Sequence, residues 1–223
     1  MIKFFEGTIF NTNSEAIVNT VNCDGFMGAG LALEFALRYP KMLEDYEQKC
    51  KNQQIKIGVL DTFREDNTLL INFPTKNSFK YPSQIKWVED GLKYFVQNYK
   101  AYNIKTVAFP KLGCSNGGLD WNEVKNLMVS YLSDIDITVY ICTDEIKEAQ
   151  GKEKNMLDSF NNCDLYELGS QIKLNAKQIN ALKNRIPYNR FWMIEKTASI
   201  GKTTYKKLFQ HFYNESSKQI KLF

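Results

Sequence analysis

Two glycine-rich loops, each placed directly after an apolar strand-like run, constrain the fold of this chain more than any other feature. Three glycines within residues 25–30 follow the run 16–22, and three more within residues 113–118 follow the run 104–109. Backbone without side chains lets several N–H groups converge on an anion, and a helix that starts there adds its partial positive charge. The pattern therefore predicts a phosphate site, and two such loops together can hold a diphosphate.

Strand-like and helix-like segments alternate along residues 1–148. Runs of β-branched and aromatic residues predict strands, and apolar residues that recur every three to four positions predict helices. This alternation favours an α/β fold with helices on both faces of a mixed, mostly parallel sheet. The strands are expected at 2–10, 16–22, 55–63, 68–75, 104–109 and 135–142, and the helices at 31–38, 40–52, 85–99 and after Asp120.

The last part of the chain differs from the first in charge and pattern. Residues 149–162 are polar and are expected to link a domain at 1–148 to a small helical module at 163–223. Residues 152–223 carry thirteen Lys and Arg against six Asp and Glu, a balance of +7. This basic module can bind a polyanion, or its charges can simply be solvated. Its residues Tyr188, Arg190, Phe191 and Trp192 are of the types that stack on single-stranded nucleic acid, but a small core needs such rings as well.

The residue types in short supply exclude several kinds of site. Five cysteines stand without a C-x-x-C pair and the one histidine is His211, so no metal site, histidine triad or cofactor is predicted. The first loop has the order G-x-x-G-x-G rather than a dinucleotide fingerprint, and GKTT at 201–204 lacks the earlier P-loop glycine because Lys196 stands there. No run reaches the length of a membrane span and the first residues lack signal-peptide anatomy, so a cytoplasmic location without membrane contact is expected.

Four short motifs occur in order on these elements: NTVN at 19–22, GAGLA at 28–32, NFPTK at 72–76 and LGCSNGGLDW at 112–121. Together they resemble the macrodomain family of ADP-ribose-binding folds and, within it, the DarG-type branch of DNA ADP-ribosyl glycohydrolase antitoxins. The resemblance covers about residues 1–145 and leaves the basic module outside it. It implies a three-layer α/β/α sandwich.

The resemblance also implies an activity. Such an enzyme hydrolyses the N-glycosidic bond between ADP-ribose and a nucleobase of single-stranded DNA, with thymine as the expected base. It thereby reverses the action of a DarT-like DNA ADP-ribosyltransferase toxin, which is the expected protein partner. By the same resemblance Lys76 is the catalytic lysine, and Asn22 contacts the distal ribose. The residues expected to bind the rest of ADP-ribose are Thr8, Ile9, Gly28, Ala29, Gly30, Leu31, Thr75, Gly113, Cys114, Ser115, Asn116, Gly117, Gly118 and Tyr140.

Two positions depart from the family pattern. Thr8 stands where many members carry an aspartate that accepts a hydrogen bond from the adenine amino group, and DarG-like members also tend to lack that aspartate. Gly117 stands where the terminal ADP-ribose glycohydrolase branch places an aspartate. A mechanism that pairs a lysine with this second aspartate therefore cannot be transferred to this chain.

The residues themselves leave alternatives open. An unprotonated Lys76 can attack the anomeric carbon, or the opened aldehyde, and form a transient covalent adduct; otherwise it is a solvated loop lysine. Asn22 and Asn116 can each bond to the ligand or make a turn, and Tyr140 can stack on adenine or pack in the core. Cys114 is expected to fill space in its loop, because no histidine stands near it.

Other classes of function compete with the DNA hydrolase. The first is a non-catalytic module that only binds ADP-ribose or its adducts. The second is an antitoxin that acts by protein contact through its basic module, and the third is a hydrolase of ADP-ribosylated protein. Turnover of a modified strand separates the hydrolase of DNA from the non-catalytic module, whereas a hydrolase can also act as an antitoxin by protein contact.

Overall fold

The chain forms two compact units, which are described separately. The structure is a computed structural model that describes the backbone of residues 1–220 and the side chains of residues 1–216. The first unit is Met1–Glu145, and the second begins at Ile146. Within residues 1–220, no helix is both long enough and apolar enough to span a membrane.

A mixed sheet forms the centre of the first unit. Its strands within the described residues are β1 (Ile2–Phe5), β2 (Ala16–Asn22), β3 (Asp61–Glu65), β4 (Thr68–Lys76), β5 (Thr106–Pro110) and β6 (Thr138–Cys142). They lie in the order β1-β6-β5-β2-β4-β3. Neighbouring strands are parallel, except that β3 is antiparallel to β4. The predicted mixed, mostly parallel sheet is confirmed.

Two strands at the edges of the sheet are shorter than predicted. The first ends at Phe5, whose ring folds over Gly7: a Cβ added there would lie 2.6 Å from the ring. A 3-10 helix follows at Ile9–Asn11. The run 55–63 joins the sheet only from its last three residues, because the positive φ of +79° at Gly58 interrupts extended backbone. The central strands β2, β4 and β5 lie close to their predicted bounds.

Helices cover both faces of the sheet. Those of the first unit are α1 (Gly30–Arg38), α2 (Pro40–Lys51), α3 (Ile85–Asn98) and α4 (Trp121–Leu132). Consecutive β2 residues point to opposite faces, and each face has its own buried cluster. One cluster includes Val18, Ile71, Phe73, Val88, Leu92 and Val124, and the other includes Ile17, Leu70, Phe35, Met42, Tyr46 and Ala108. The three-layer α/β/α sandwich is therefore confirmed.

The second unit is a helical module. Its described elements are α5 (Gly151–Asn162), α6 (Leu165–Ile172), α7 (Ala176–Lys183), a 3-10 helix at Phe191–Lys196 and α8 (Lys202–Ile220). The prediction of a linker over 149–162 is wrong for most of that segment, because Met156, Leu157 and Phe160 share one buried helical face. Asn175 caps α7 through a capping box with Gln178.

Burial shows that three of the aromatic and cationic residues in 188–192 belong to the core of the module, whereas Trp192 is 46% exposed. Tyr188 and Phe191 are buried, and Phe191 packs edge-on against Phe160 with ring centroids 6.1 Å apart. Arg190 is only 4% exposed and donates from Nε to the Glu153 carboxylate at 3.0 Å. These three residues form the core of the module, so they are not available to stack on nucleic acid.

Candidate active site

The carboxyl ends of three adjacent parallel strands bring the predicted catalytic residues together. β2 lies between β5 and β4, and its last residue, Asn22, is the register partner of Lys76 at the end of β4. The register slips by one residue just before this pair, because Val21 pairs with Pro74 and leaves Thr75 without a partner on β2. Thr75 is buried, so this bulge sets Lys76 beside Asn22 at the ligand-binding edge of the sheet.

The first glycine loop leads directly into a helix. Gly28 and Ala29 precede α1, and Ala29 is its N-cap residue in extended conformation without a side-chain capping bond. The N–H groups of the first helical turn have no partner within a helix, so those of Gly30 and Leu31 are available to an anion. The backbone of Gly30 has a φ of +55°, a conformation that favours glycine.

The two glycine loops and Lys76 meet at Asn116. A Cβ added to Gly30 in the first loop would lie 2.9 Å from Asn116 Nδ2 in the second loop. Lys76 Nζ donates a hydrogen bond of 2.5 Å to the backbone carbonyl oxygen of Asn116. Two glycine loops, whose backbone can bind an anion, and the primary amine of Lys76 thus surround one place on the surface.

Ser83 supports the second loop from behind. Its N–H donates to the Gly117 carbonyl oxygen at 2.9 Å. A Cβ on Gly117 would lie 2.2 Å from the Gly113 carbonyl oxygen and 2.3 Å from Ser83 Oγ, so this position admits only glycine in the present loop conformation. Ser115, Asn116 and Gly118 are exposed around the turn, and these residues present the loop backbone to a ligand.

The Asn22 side chain holds the first loop in shape. Its Nδ2 donates to the Phe26 carbonyl oxygen at 2.6 Å, and its Oδ1 accepts from the N–H groups of Asp24 at 2.9 Å and Phe26 at 3.3 Å. From α2, Tyr46 Oη donates to the Asn22 carbonyl oxygen at 2.6 Å. The turn-making role of Asn22 is therefore present in the structure, and its contact with a distal ribose stays a prediction.

A second set of bonds joins the first loop to the segment after β4. The Asp24 carboxylate accepts from Ser78 Oγ at 2.6 Å and from the Phe79 N–H at 3.1 Å. The Cys23 N–H donates to the Asn77 carbonyl oxygen at 3.3 Å. These bonds fix the residues on either side of the Asn22–Lys76 pair.

Cys114 is unsuited to nucleophilic attack. Burial raises the pKa of its thiol to about 11, the nearby Asp120 adds to this, and Lys111 opposes it. The Sγ atom lies 3.4 Å from the Leu112 carbonyl oxygen. The thiol is thus protonated at neutral pH, in agreement with a space-filling role. Within residues 1–216, no cluster of three or more His, Cys, Asp or Glu side chains suits a metal ion.

The residues predicted for the adenine end follow other strands. Thr8 and Ile9 come after β1, and Ile9 is only 2% exposed, so its side chain belongs to the core. Tyr140 lies in the middle of β6, half-buried against the second cluster, with Lys3 Nζ 5.7 Å from its ring centroid. The half-buried ring favours packing for Tyr140, and stacking on adenine stays a prediction.

Three supporting residues escaped the sequence analysis. Tyr46 lies four residues from Met42 and from Cys50, which is the spacing of an ordinary buried helical face. This pattern predicts packing in the core and gives no sign of the hydrogen bond to Asn22. Asp24 and Ser83 occupy polar loops in which no sequence pattern distinguishes them. The one available signal was a position between two predicted site residues, Asn22 and Gly28, and it applies to Asp24 alone.

The fold and site together define an α/β protein in which two glycine loops and a lysine amine meet at the carboxyl ends of parallel strands. The Macro domain family model matches residues 18–128, and the macrodomain of Mycobacterium tuberculosis DarG superposes with a TM-score of 0.62, at 38% identity over 64% of this chain and 97% of that one. The chain belongs to the Macro domain family.

Two curated relatives extend this result. The DNA ADP-ribosyl glycohydrolase of Mycobacterium tuberculosis is 42% identical over 147 residues, which are 63% of this chain and 42% of that protein. The DNA ADP-ribosyl transferase-DNA ADP-ribosyl glycohydrolase fusion protein of Thermosipho africanus is 33% identical over 180 residues, which are 71% of this chain and 46% of that protein. The chain thus spans less than half the length of these relatives.

Proposed function

We propose that the first unit is a DNA ADP-ribosyl glycohydrolase domain that removes ADP-ribose from a base, thymine, in single-stranded DNA. The observation that carries this proposal is the hydrogen bond from Lys76 Nζ to the Asn116 carbonyl oxygen, at the point where both glycine loops meet. Similarity to the relatives named DNA ADP-ribosyl glycohydrolase supports the choice of substrate.

In this proposal the diphosphate lies between the N-terminus of α1 and the loop over 113–118. Backbone N–H groups on both sides then neutralise its charge and fix the distal ribose beyond it. The bond to Asn116 uses one N–H of Lys76 and restrains the amine. When the amine is unprotonated, its lone pair remains available to the sugar carbon.

The reaction exchanges one bond at the anomeric carbon for another. Lys76 Nζ bonds to that carbon while the glycosidic bond breaks, and the base nitrogen leaves with the electron pair and takes up a proton. The ring C–O bond of this adduct then opens, the ring oxygen takes up a proton, and an imine joins Lys76 to the carbon. Water adds to the imine, the C–N bond to lysine breaks, and ADP-ribose is released as the amine is regenerated.

Turnover of an ADP-ribosylated single-stranded oligonucleotide tests this mechanism. Lys76→Ala is expected to lower kcat by about 10²–10⁴-fold, the usual contribution of one positioned group. Lys76→Arg keeps the positive charge but cannot form the adduct, so it is expected to be equally inactive. Lys51→Ala, on an exposed lysine at the end of α2, is the control that keeps its activity.

Trapping of the adduct separates the nucleophile from a purely electrostatic role. Borohydride added during turnover is expected to reduce an imine at Lys76 and to leave a mass increase on the peptide that contains it. Binding of ADP-ribose without turnover of any substrate would instead favour the non-catalytic module. Turnover of ADP-ribosylated protein but not of modified DNA would change the substrate class.

The partner and location follow from the same substrate. A DarT-like DNA ADP-ribosyltransferase is the protein partner we propose, because one relative joins transferase and glycohydrolase in a single chain. A cytoplasmic location accompanies this proposal, since the modified DNA lies there in a bacterial cell. Binding of such a transferase to the full chain, and its loss when residues 146–223 are deleted, tests whether the basic module contributes.

A further inference from the structure

We propose that Phe26 and Phe79 form a platform on which the base next to the ADP-ribosylated nucleotide stacks. The two rings lie face to face with centroids 4.9 Å apart and an interplanar angle of 30°. Their residues are 59% and 46% exposed, although burial of a phenylalanine normally stabilises a protein. The inference takes its substrate from the proposed function.

The platform lies directly beside the candidate catalytic pair. Phe26 follows Asn22 by four residues, and Phe79 follows Lys76 by three, so the Cα atoms of Phe79 and Lys76 are within about 11 Å of each other. Lys76 is assigned to the distal ribose, whose anomeric carbon carries the DNA base. The strand therefore emerges from the site at the end where the two exposed rings lie.

Hydrogen bonds hold the backbone that carries both rings, and the rings contact each other. Asn22 bonds to the N–H and the carbonyl oxygen of Phe26, and Asp24 accepts from the Phe79 N–H at 3.1 Å. The Ser78 hydroxyl donates to the same Asp24 oxygen at 2.6 Å. A ring pair fixed before the ligand arrives loses little conformational freedom on binding.

The chemistry of the surroundings fits a single strand of DNA. Lys80 is exposed, and its Nζ lies 5.8 Å from the centroid of the Phe79 ring. An aromatic face with a neighbouring cation is the usual arrangement for binding single-stranded nucleic acid, because the ring stacks on a base and the cation meets a phosphate. The Asp24 carboxylate is already engaged by two donors, which lessens its repulsion of the strand.

The test compares two ligands in a chain that cannot turn over. In the Lys76→Ala background, equilibrium affinities are measured for a short ADP-ribosylated single-stranded oligonucleotide and for free ADP-ribose. Adding Phe79→Ala is expected to weaken oligonucleotide binding about 5- to 150-fold, the usual range for one stacked base, and to leave ADP-ribose binding unchanged. Phe26→Ala is expected to act in the same direction, and Phe79→Trp to retain affinity.

Phe4→Ala is the matched control, because Phe4 is 50% exposed on β1 and has Lys125 Nζ 4.8 Å from its ring centroid. The platform is refuted if Phe79→Ala leaves oligonucleotide affinity unchanged, weakens both ligands equally, or does no more than Phe4→Ala. Turnover by the unmutated chain is scored separately. Turnover without the affinity difference rejects the platform alone, and the affinity difference without turnover rejects the glycohydrolase proposal alone.

Discussion

Replacing Tyr46 by phenylalanine tests whether the first loop is held from within the core. Tyr46 is fully buried, and its Oη donates to the Asn22 carbonyl oxygen at 2.6 Å, with Asn22 Oδ1 at 3.3 Å. The substitution removes one oxygen atom and no ring volume. The carbonyl oxygen of Asn22, the residue from which the first loop begins, then no longer accepts this hydrogen bond.

The expected loss follows from that unpaired acceptor. A buried polar group deprived of its partner costs about 1–3 kcal/mol, and each kcal/mol lowers Tm by about 2–4 °C in a protein of this size. Calorimetry of the unmutated and Tyr46→Phe chains measures the shift. Tyr99→Phe is the control: Tyr99 Oη donates to Asp136 at 2.5 Å, and that carboxylate lies on an exposed residue where water can replace the lost donor.

Alkaline titration adds an independent readout. Burial, followed by the nearby Cys50, raises the pKa of Tyr46 far above its usual value of 10.0. A group whose pKa is raised on folding stabilises the fold below its unfolded pKa, and this contribution falls as pH rises above about 10. Tyr46→Phe should therefore lose less stability between pH 9 and 11 than the unmutated chain. A Tyr46→Phe chain as stable as Tyr99→Phe, with an unchanged alkaline profile, would refute the reasoning.

Three further perturbations test the loops and the second unit. Gly30→Ala is expected to weaken ADP-ribose binding in calorimetric titration. The left-handed φ costs an alanine about 1–2 kcal/mol, and the added Cβ would displace Asn116. Gly118→Ala is the control with open space around its Cβ, and equal weakening by this variant would exclude the displacement of Asn116 as the cause. Cys114→Ala is expected to retain turnover at neutral pH, since a thiol with a pKa of about 11 is not a nucleophile there, and lost turnover would contradict this. Glu153→Ala is expected to lower the free energy of unfolding in denaturant by about 3–5 kcal/mol, because the Arg190 guanidinium loses its buried carboxylate partner. A loss below about 1 kcal/mol would mean that water reaches the guanidinium.

Sequence reasoning worked where a local pattern reflects the final environment. The central strands are apolar on both faces because the sheet is covered twice, and that composition is visible along the chain. The glycine loops were recognised because their backbone geometry requires the residue, as at Gly30 and Gly117. The sequence also predicted Lys76 at a strand end, and the parallel pairing of β2 and β4 places that end beside Asn22.

The errors arose where tertiary contacts decide the outcome. Residues 151–162 contain many polar side chains, so the composition of this segment predicts a linker. The structure shows a helix, α5, whose residues Met156, Leu157 and Phe160 are buried in the core of the module. The sequence left open whether Arg190 binds nucleic acid or belongs to a core, because its carboxylate partner lies 37 residues earlier and no local pattern connects them. The strand predicted at 55–63 depended on apolar composition, whereas the backbone of Gly58 determines where it begins.

The unpaired Thr75 has a consequence for how chains of this kind can vary in length. A bulge re-aims the strand end that follows it, so removal of Thr75 would restore continuous pairing from Pro74 to Lys76 and turn the amine away from its present direction. Conversely, an insertion there would present the hydroxyl of a threonine where the amine now stands. In the proposed mechanism, the spacing of this strand end therefore determines reactivity as much as the lysine itself does.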